Sequence, residues 1–181
     1  MGALTPHLTD ALTAFIAKQK VFFVASAPLS PDGHVNLSPK GLDCFRVLSP
    51  TRVAYLDLTG SGNETAAHVL ENGRITLMFC AFEEPPLILR IYGRGRAVRP
   101  SDADWAELSS HFDLLPGTRQ ILDVEVKAIQ TSCGHGVPLM AFEGHRTRIP
   151  AWAESKGEDG MEAYRAAKNR VSLDGLPTSP P

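Results

Sequence analysis

Two periodicities alternate along the chain, one near 3.6 residues and one of two, and they divide it into a few helices set among strands. Between Leu8 and Lys18 the apolar residues Leu8, Leu12, Phe15 and Ile16 share one helical face, with Thr9 or Asp10 near its start, which predicts an amphipathic helix lying over a sheet. Val21 to Ala27 is a strongly apolar run and predicts a strand buried on both faces. Ser30-Pro31-Asp32-Gly33 carries turn residues, so the next strand, His34 to Lys40, is expected antiparallel to it. That strand alternates cleanly, with His34, Asn36, Ser38 and Lys40 on one face and Val35, Leu37 and Pro39 on the other. Its polar row is either solvated surface or a ligand wall, and Pro39 marks an edge or a bulge.

Leu42 to Ser49 reads as a connector with Cys44 and Phe45 as core contacts. Val53 to Leu58 is dense in β-branched, aromatic and aliphatic residues, and Tyr55, Asp57 and Thr59 share one of its faces; Asp57 reads as an exposed strand acid. Gly60-Ser61-Gly62-Asn63-Glu64-Thr65 is a glycine-rich turn opening a short helix that stops at Gly73. Such a turn presents unpaired backbone N–H groups, so it can cradle an anion; Ser61 and Glu64 equally match a capping box, which needs no ligand. It is a poor dinucleotide fingerprint, because Thr65 replaces the third glycine and the next strand follows too soon.

Arg74 to Phe82 and Leu87 to Arg99 read as strands around the loop Glu83-Glu84-Pro85-Pro86. In the second, Arg90, Tyr92, Arg94 and Arg96 fall on one face, and Gly93 and Gly95 mark a barrel corner on the other. The arginine row is either surface charge paired with acids such as Glu83 or Glu84, or an anion site. Ser101 to His111 has a helix start signal, and Arg119 to Ser132 alternates as a strand with Leu122, Val124, Val126 and Ala128 inward. Ile149 to Asn169 reads as two short helices divided at Gly157, with Met161, Tyr164 and Ala167 inward, and Thr178 to Pro181 as a disordered tail. About six antiparallel strands with peripheral helices fit a closed, mainly β architecture.

Composition narrows the functional classes. A chain of 181 residues, 43% hydrophobic, fits one domain with a real core. A net charge of −2 offers no global attraction to nucleic acid or an anionic membrane. The N-terminal stretch, with Asp10 between two apolar clusters, reads neither as a signal peptide nor as a membrane span. Cys44, Cys80 and Cys133 form no close pair, which argues against a disulfide framework and a four-ligand zinc site and predicts a cytoplasmic protein. His135, between Gly134 and Gly136, is the one candidate for a group acting on substrate; the alternative is a structural glycine turn.

Thr59 to Thr65, the short helix ending Glu71-Asn72-Gly73-Arg74, and the strands through Ile75 to Phe79 and on to Gly93 resemble the central block of the pyridoxamine 5′-phosphate oxidase-like flavoproteins. The resemblance extends over roughly residues 21 to 132 and implies a six-stranded antiparallel split β-barrel that binds FMN between the subunits of a homodimer. The C-terminal stretches Trp152-Ala153, Ala163-Tyr164, Lys168-Asn169 and Ser172 to Pro177 are similar to the extension of one branch of that family. The division implied is a split-barrel domain over residues 1–148 and a helical extension with a tail over 149–181. The resemblance places Asn36, Ser38, Lys40, Thr59, Gly60, Ser61, Asn63, Glu64 and Thr65 nearest the phosphate and ribityl chain. Asn63-Glu64-Thr65 stands where the family carries Ser-Arg-Lys, so Lys40 would supply charge that the turn lacks. The family's C-terminal Arg-His substrate signature has no recognisable counterpart, which disfavours pyridoxamine phosphate itself as substrate. The implied function is an FMN-dependent oxidoreductase acting on another small molecule; the alternatives are a non-catalytic flavin- or haem-binding protein and a deazaflavin-dependent reductase.

Overall fold

The computed structural model describes residues 4–180. Its elements are β1 (Leu4–Thr5), α1 (Asp10–Lys18), β2 (Phe22–Ser26), β3 (Asn36–Lys40), β4 (Phe45–Ser49), β5 (Arg52–Leu58), α2 (Glu64–Asn72), β6 (Arg74–Cys80), β7 (Ile88–Val98), α3 (Trp105–Ser109), β8 (Thr118–Ser132) and α4 (Arg148–Lys168). All strand pairings are antiparallel, in the order β3-β2-β6-β7-β8-β5-β4, and β1 pairs with the far end of β8. The split β-barrel is present with one more strand along its path than the six expected, because Phe45–Ser49, read as connector, forms β4.

The two ends of this strand order meet through side chains rather than through a ladder. Phe22 of β2 packs edge-on against Phe45 of β4 and Tyr55 of β5, with ring centroids 5.1 and 5.5 Å apart, and Phe45 packs likewise on Phe79 of β6 at 5.0 Å. These rings, with Val24, Leu77, Leu89, Ile91, Leu122 and Val124, fill the barrel interior. Closure by an aromatic core without backbone bonds is what leaves the barrel split.

The expected corner at Gly93 is a β-bulge, where the register of β7 on β8 shifts between Tyr92 and Gly93. A Cβ at Gly93 would stand 2.5 Å from Val124 Cγ1 and 2.6 Å from the Glu125 carbonyl oxygen. Gly93→Ala is therefore expected to destabilise by about 1–3 kcal/mol through overpacking, read as a lower urea midpoint with an unchanged m-value. An unchanged midpoint would mean that β8 yields freely.

Helix ends follow local chemistry. Thr9 caps α1 by accepting a bond from the Leu12 N–H at 3.3 Å, and Gly73 stops α2 in the left-handed conformation with φ 71°. α3 is shorter than expected. α4 is broken at Gly157, φ 64°, where the sequence divides two helices; Met161 is buried and Tyr164 packs edge-on to Trp152. The tail departs from expectation: Thr178 is buried, and its hydroxyl donates to the Asn169 carbonyl at 2.6 Å. Ser179 and Pro180 are exposed, and Pro181 lies outside the described residues.

The arginine row of β7 is bonded within the protein, and of its members Arg96 is ion-paired. Arg96 meets Asp104 at 2.7 Å and Asp123 at 2.9 Å, Arg94 donates to the Asn72 carbonyl and Arg90 to Ser132, so the partners are not Glu83 or Glu84.

Candidate functional site

The strand β3 decides where the site lies. Val35, just before the strand, and Leu37 within it point outward, 73% and 64% exposed, whereas Asn36, Ser38 and Lys40 face in toward the protein. This inverts the usual strand arrangement and assigns the polar row to a wall. That wall bounds a cleft of about 1380 Å³, larger than the usual 300–1,000 Å³ of a small-molecule site and roomy enough for two small ligands together. β2 bounds it too: Phe22, Val24 and Ser26 point into the core, while Phe23 lines the cleft, so this strand is not buried evenly on both faces as expected.

One end of the cleft is polar. It is formed by β3, the turn Gly60-Ser61-Gly62 and the N-terminus of α2, whose first N–H groups have no partner within the helix. Asn63 is the N-cap residue but makes no side-chain cap bond, and the Ser61–Glu64 capping box is not formed. Asn36 Nδ2 instead donates to Thr65 Oγ1 at 3.1 Å and to Ser26 Oγ at 3.4 Å, and Ser38 Oγ donates to Asn36 Oδ1 at 3.1 Å. Ser26 Oγ in turn meets the Nδ1 of His68, a buried imidazole whose pKa burial lowers. This chain of bonds ties β2, β3 and α2 into one rigid wall.

Beneath it lies Asp57. Expected on the surface, it is 1% exposed, and its carboxylate accepts bonds from Lys40 Nζ at 2.9 Å, Arg119 Nε at 2.8 Å and Gln120 Nε2 at 2.7 Å. Burial alone would raise its pKa, but the charges and hydrogen bonds of Lys40 and Arg119 overcome that and hold it at about 2. Arg119 Nη1 also donates to the Gly62 carbonyl and to Asn169 Oδ1, both at 2.9 Å, and Asn169 Nδ2 donates to the Gly60 carbonyl at 3.1 Å. The segment after α4 thus locks the glycine turn from behind.

The other end is apolar, lined by Phe15, Phe23, Phe82, Met140 and Phe142. Phe142 packs edge-on against His145 at 4.9 Å, and the Leu42 N–H donates to His145 Nδ1 at 3.4 Å, which leaves the proton of the neutral ring on Nε2. Leu42 holds a left-handed backbone, φ 66°, to do so. Cys44 also lines the cleft, and burial pushes its thiol up to about 12, so it is inert as a nucleophile.

Of the residues expected at a cofactor, Asn36, Ser38, Lys40, Gly60, Ser61, Glu64 and Thr65 line this cleft. Thr59 and Asn63 do not: Thr59 Oγ1 donates to the Gly117 carbonyl at 2.9 Å, and Asn63 Oδ1 accepts from Gln120 at 2.8 Å, so both brace the turn from inside. His135 is exposed on the turn after β8 and lies outside the cleft lining; the histidine that lines it is His145. Sequence reasoning missed Arg119, Gln120, Asn169 and the 140–147 loop. The one signal for Asn169 was its place in the C-terminal stretch resembling the family extension.

An amphipathic slot with hydroxyl, amide and backbone donors at one end and aromatic side chains at the other fits an isoalloxazine ring carrying a polyol chain. Among the described residues no three His, Cys, Asp or Glu side chains gather as they would around a metal ion, and no helix is long and apolar enough to cross a membrane.

Known proteins with the same pattern agree with this architecture. The chain is 39% identical over 189 aligned positions to the pyridoxamine 5'-phosphate oxidase family protein ustO of Aspergillus flavus, covering 94% of this chain and 75% of that one. Among solved structures it is similar in fold to HupZ of Group A Streptococcus, with a TM-score of 0.54, 18% identity, and coverage of 74% of this chain and 99% of that one. A putative pyridoxamine 5'-phosphate oxidase of Lactobacillus delbrueckii gives a TM-score of 0.54 at 15% identity, over 69% and 94% of the two chains. The family model described as pyridoxamine 5'-phosphate oxidase matches residues 8–133, from the start of α1 through β8, which takes in the strands and the turn that wall the cleft. The chain therefore belongs to the pyridoxamine 5'-phosphate oxidase family.

Proposed function

We propose that this protein is an FMN-dependent oxidoreductase acting on a small molecule, with the flavin in the cleft between β3, the Gly60–Gly62 turn and the 140–147 loop. The observation that carries this reading is the inverted strand β3, which turns Asn36, Ser38 and Lys40 toward the cleft and leaves Val35 and Leu37 outside. Two such exposed apolar side chains on a sheet edge suit a second copy of the chain, in keeping with a homodimer.

In this reading Asn36, Ser38, Ser61 and Lys40 hold the ribityl and phosphate end, with the backbone N–H groups that open α2. When bound, the flavin supplies two-electron transfer to or from a substrate. The protein's own part is to orient the flavin: Phe23, Phe82 and Phe142 supply aromatic contact at the other end of the cleft, and His145 lines the remaining volume. That volume is left for the substrate.

An absorption spectrum of the purified protein and a fluorescence titration of the apoprotein with FMN test this reading. Binding is expected, and Lys40→Ala should weaken it by about tenfold, the worth of one charge-assisted hydrogen bond. A colourless protein that leaves FMN fluorescence unchanged would remove the reading. A flavin that binds and that no donor reduces would make the protein a carrier instead of an enzyme.

A further inference from the structure

We propose that Asp57 and Glu64 are built-in anions at the chain end of the cleft, so that the protein selects flavins by their ring and ribityl chain and takes riboflavin about as well as FMN. The inference rests on the flavin reading and specifies the ligand class of that site.

The argument starts from where the cations spend their bonds. Arg119 is 7% exposed on its side chain, and its Nε and Nη1 donate to Asp57, Gly62 and Asn169. Lys40, 22% exposed on its side chain, gives one bond to the same carboxylate. Asp57 is therefore already the anion that these two cations serve, and its own burial with Arg119 leaves that pair little screened by solvent. Glu64 is the first residue of α2 and lines the cleft, so a carboxylate already sits at the positive end of that helix, which would otherwise attract a phosphate. Its Oε2 accepts from the Leu173 N–H at 3.0 Å, which holds it there. The two cations that line this end, Lys40 and Arg119, are matched by Asp57 and Glu64, and the third cation nearby, Arg165, spends its Nη1 on Thr59 Oγ1 at 3.4 Å behind the turn, outside the cleft lining. A phosphate monoester arrives with a charge of about −1.5 to −2 and finds both lining cations of this end already matched by carboxylates. Hydroxyls of a ribityl chain find Asn36, Ser38 and Ser61, which ask for no charge at all.

The alternative is that Asp57 merely holds Lys40 and Arg119 in place for a phosphate. The two readings predict opposite results in titrations of the apoprotein with riboflavin and with FMN. In the wild-type protein the two dissociation constants are expected to agree within about fivefold. In Asp57→Asn, FMN is expected to gain about tenfold over riboflavin, because both cations are released. Since that variant leaves two cations without their buried partner and risks folding, Glu64→Gln provides the second arm, with an expected gain for FMN of about threefold and riboflavin unchanged. In Lys40→Ala only FMN should weaken. FMN binding more than fivefold tighter than riboflavin in the wild type, or Glu64→Gln leaving the ratio unchanged, would overturn the inference while the flavin reading stands. Failure of both ligands to bind would remove the flavin reading and this inference together.

Discussion

Arg119→Met is expected to lower the melting temperature at neutral pH by roughly 10 °C, the largest loss for any single side chain around the cleft. Removing one partner of a buried ion pair costs about 3–5 kcal/mol, because the other charge stays buried and unpaired. In a chain of this size each kcal/mol is worth about 2–4 °C. Arg119 is the extreme case, since Asp57, Gly62 and Asn169 all lose a donor at once. Acid should separate the charge from the packing. Asp57 is held at about 2 against an ordinary value of 3.8, so its ionised form is favoured in the folded state. Such a group contributes stability that is present above about pH 4 and is lost as pH falls toward 2, roughly 2 kcal/mol for a shift of this size. Wild-type unfolding free energy should therefore fall across that window, and the part due to Asp57 should shrink in Arg119→Met. A melting temperature within 3 °C of wild type at pH 7 would show that Lys40 and Gln120 suffice, and would sink this account of the cluster.

The same cluster marks the boundary of what the chain discloses by itself. Alternation placed Asp57 on the face of Thr59, but the register of β5 on β8 shifts between Asp57 and Leu58, and of the two only Asp57 lines the cleft. Its burial was not legible, because the partners Lys40, Arg119 and Gln120 come from β3 and β8, 17 to 63 residues away, and no local pattern joins them. The stop at Gly73 and the break at Gly157 were legible because each holds a positive φ that favours glycine, and the bulge at Gly93 because a Cβ there would run into Val124 and Glu125. β4 was missed because Phe45–Ser49 is half-buried throughout and shows neither strict alternation nor turn residues at its start. For β3 the period was right and the two faces were left open. Only the fold could settle them, since the polar side of an edge strand faces inward when a cleft lies behind it.

Asn169→Ala should be the second most damaging change, about 2–4 kcal/mol, although it lies on no helix or strand and beyond the residues that the family model matches. Asn169 is 4% exposed and serves three elements at once: its Oδ1 accepts from Arg119, its Nδ2 donates to the Gly60 carbonyl, and its own carbonyl accepts from Thr178. Truncation to alanine removes the first two and leaves a buried guanidinium and a buried carbonyl each short of a partner, at about 1–3 kcal/mol apiece. The consequence reaches the site, because Gly60 and Gly62 are the two glycines of the cradle and both are fixed through this one side chain, directly or by way of Arg119. The stretch that follows is clamped independently, by the Leu173 N–H to Glu64 and by Asp174 to the His34 N–H at 2.8 Å. Loss of Asn169 should thus loosen the turn without releasing the whole segment. Flavin titration of Asn169→Ala is expected to show about tenfold weaker binding with little change in the bound spectrum, since the aromatic end of the cleft is untouched. Asn169→Asp is the sharper control: it keeps the acceptor facing Arg119, adds a charge there, and removes the donor to Gly60. If it restores stability and leaves binding weak, the Gly60 bond is what positions the cradle; if it restores both, Arg119 is the member that matters.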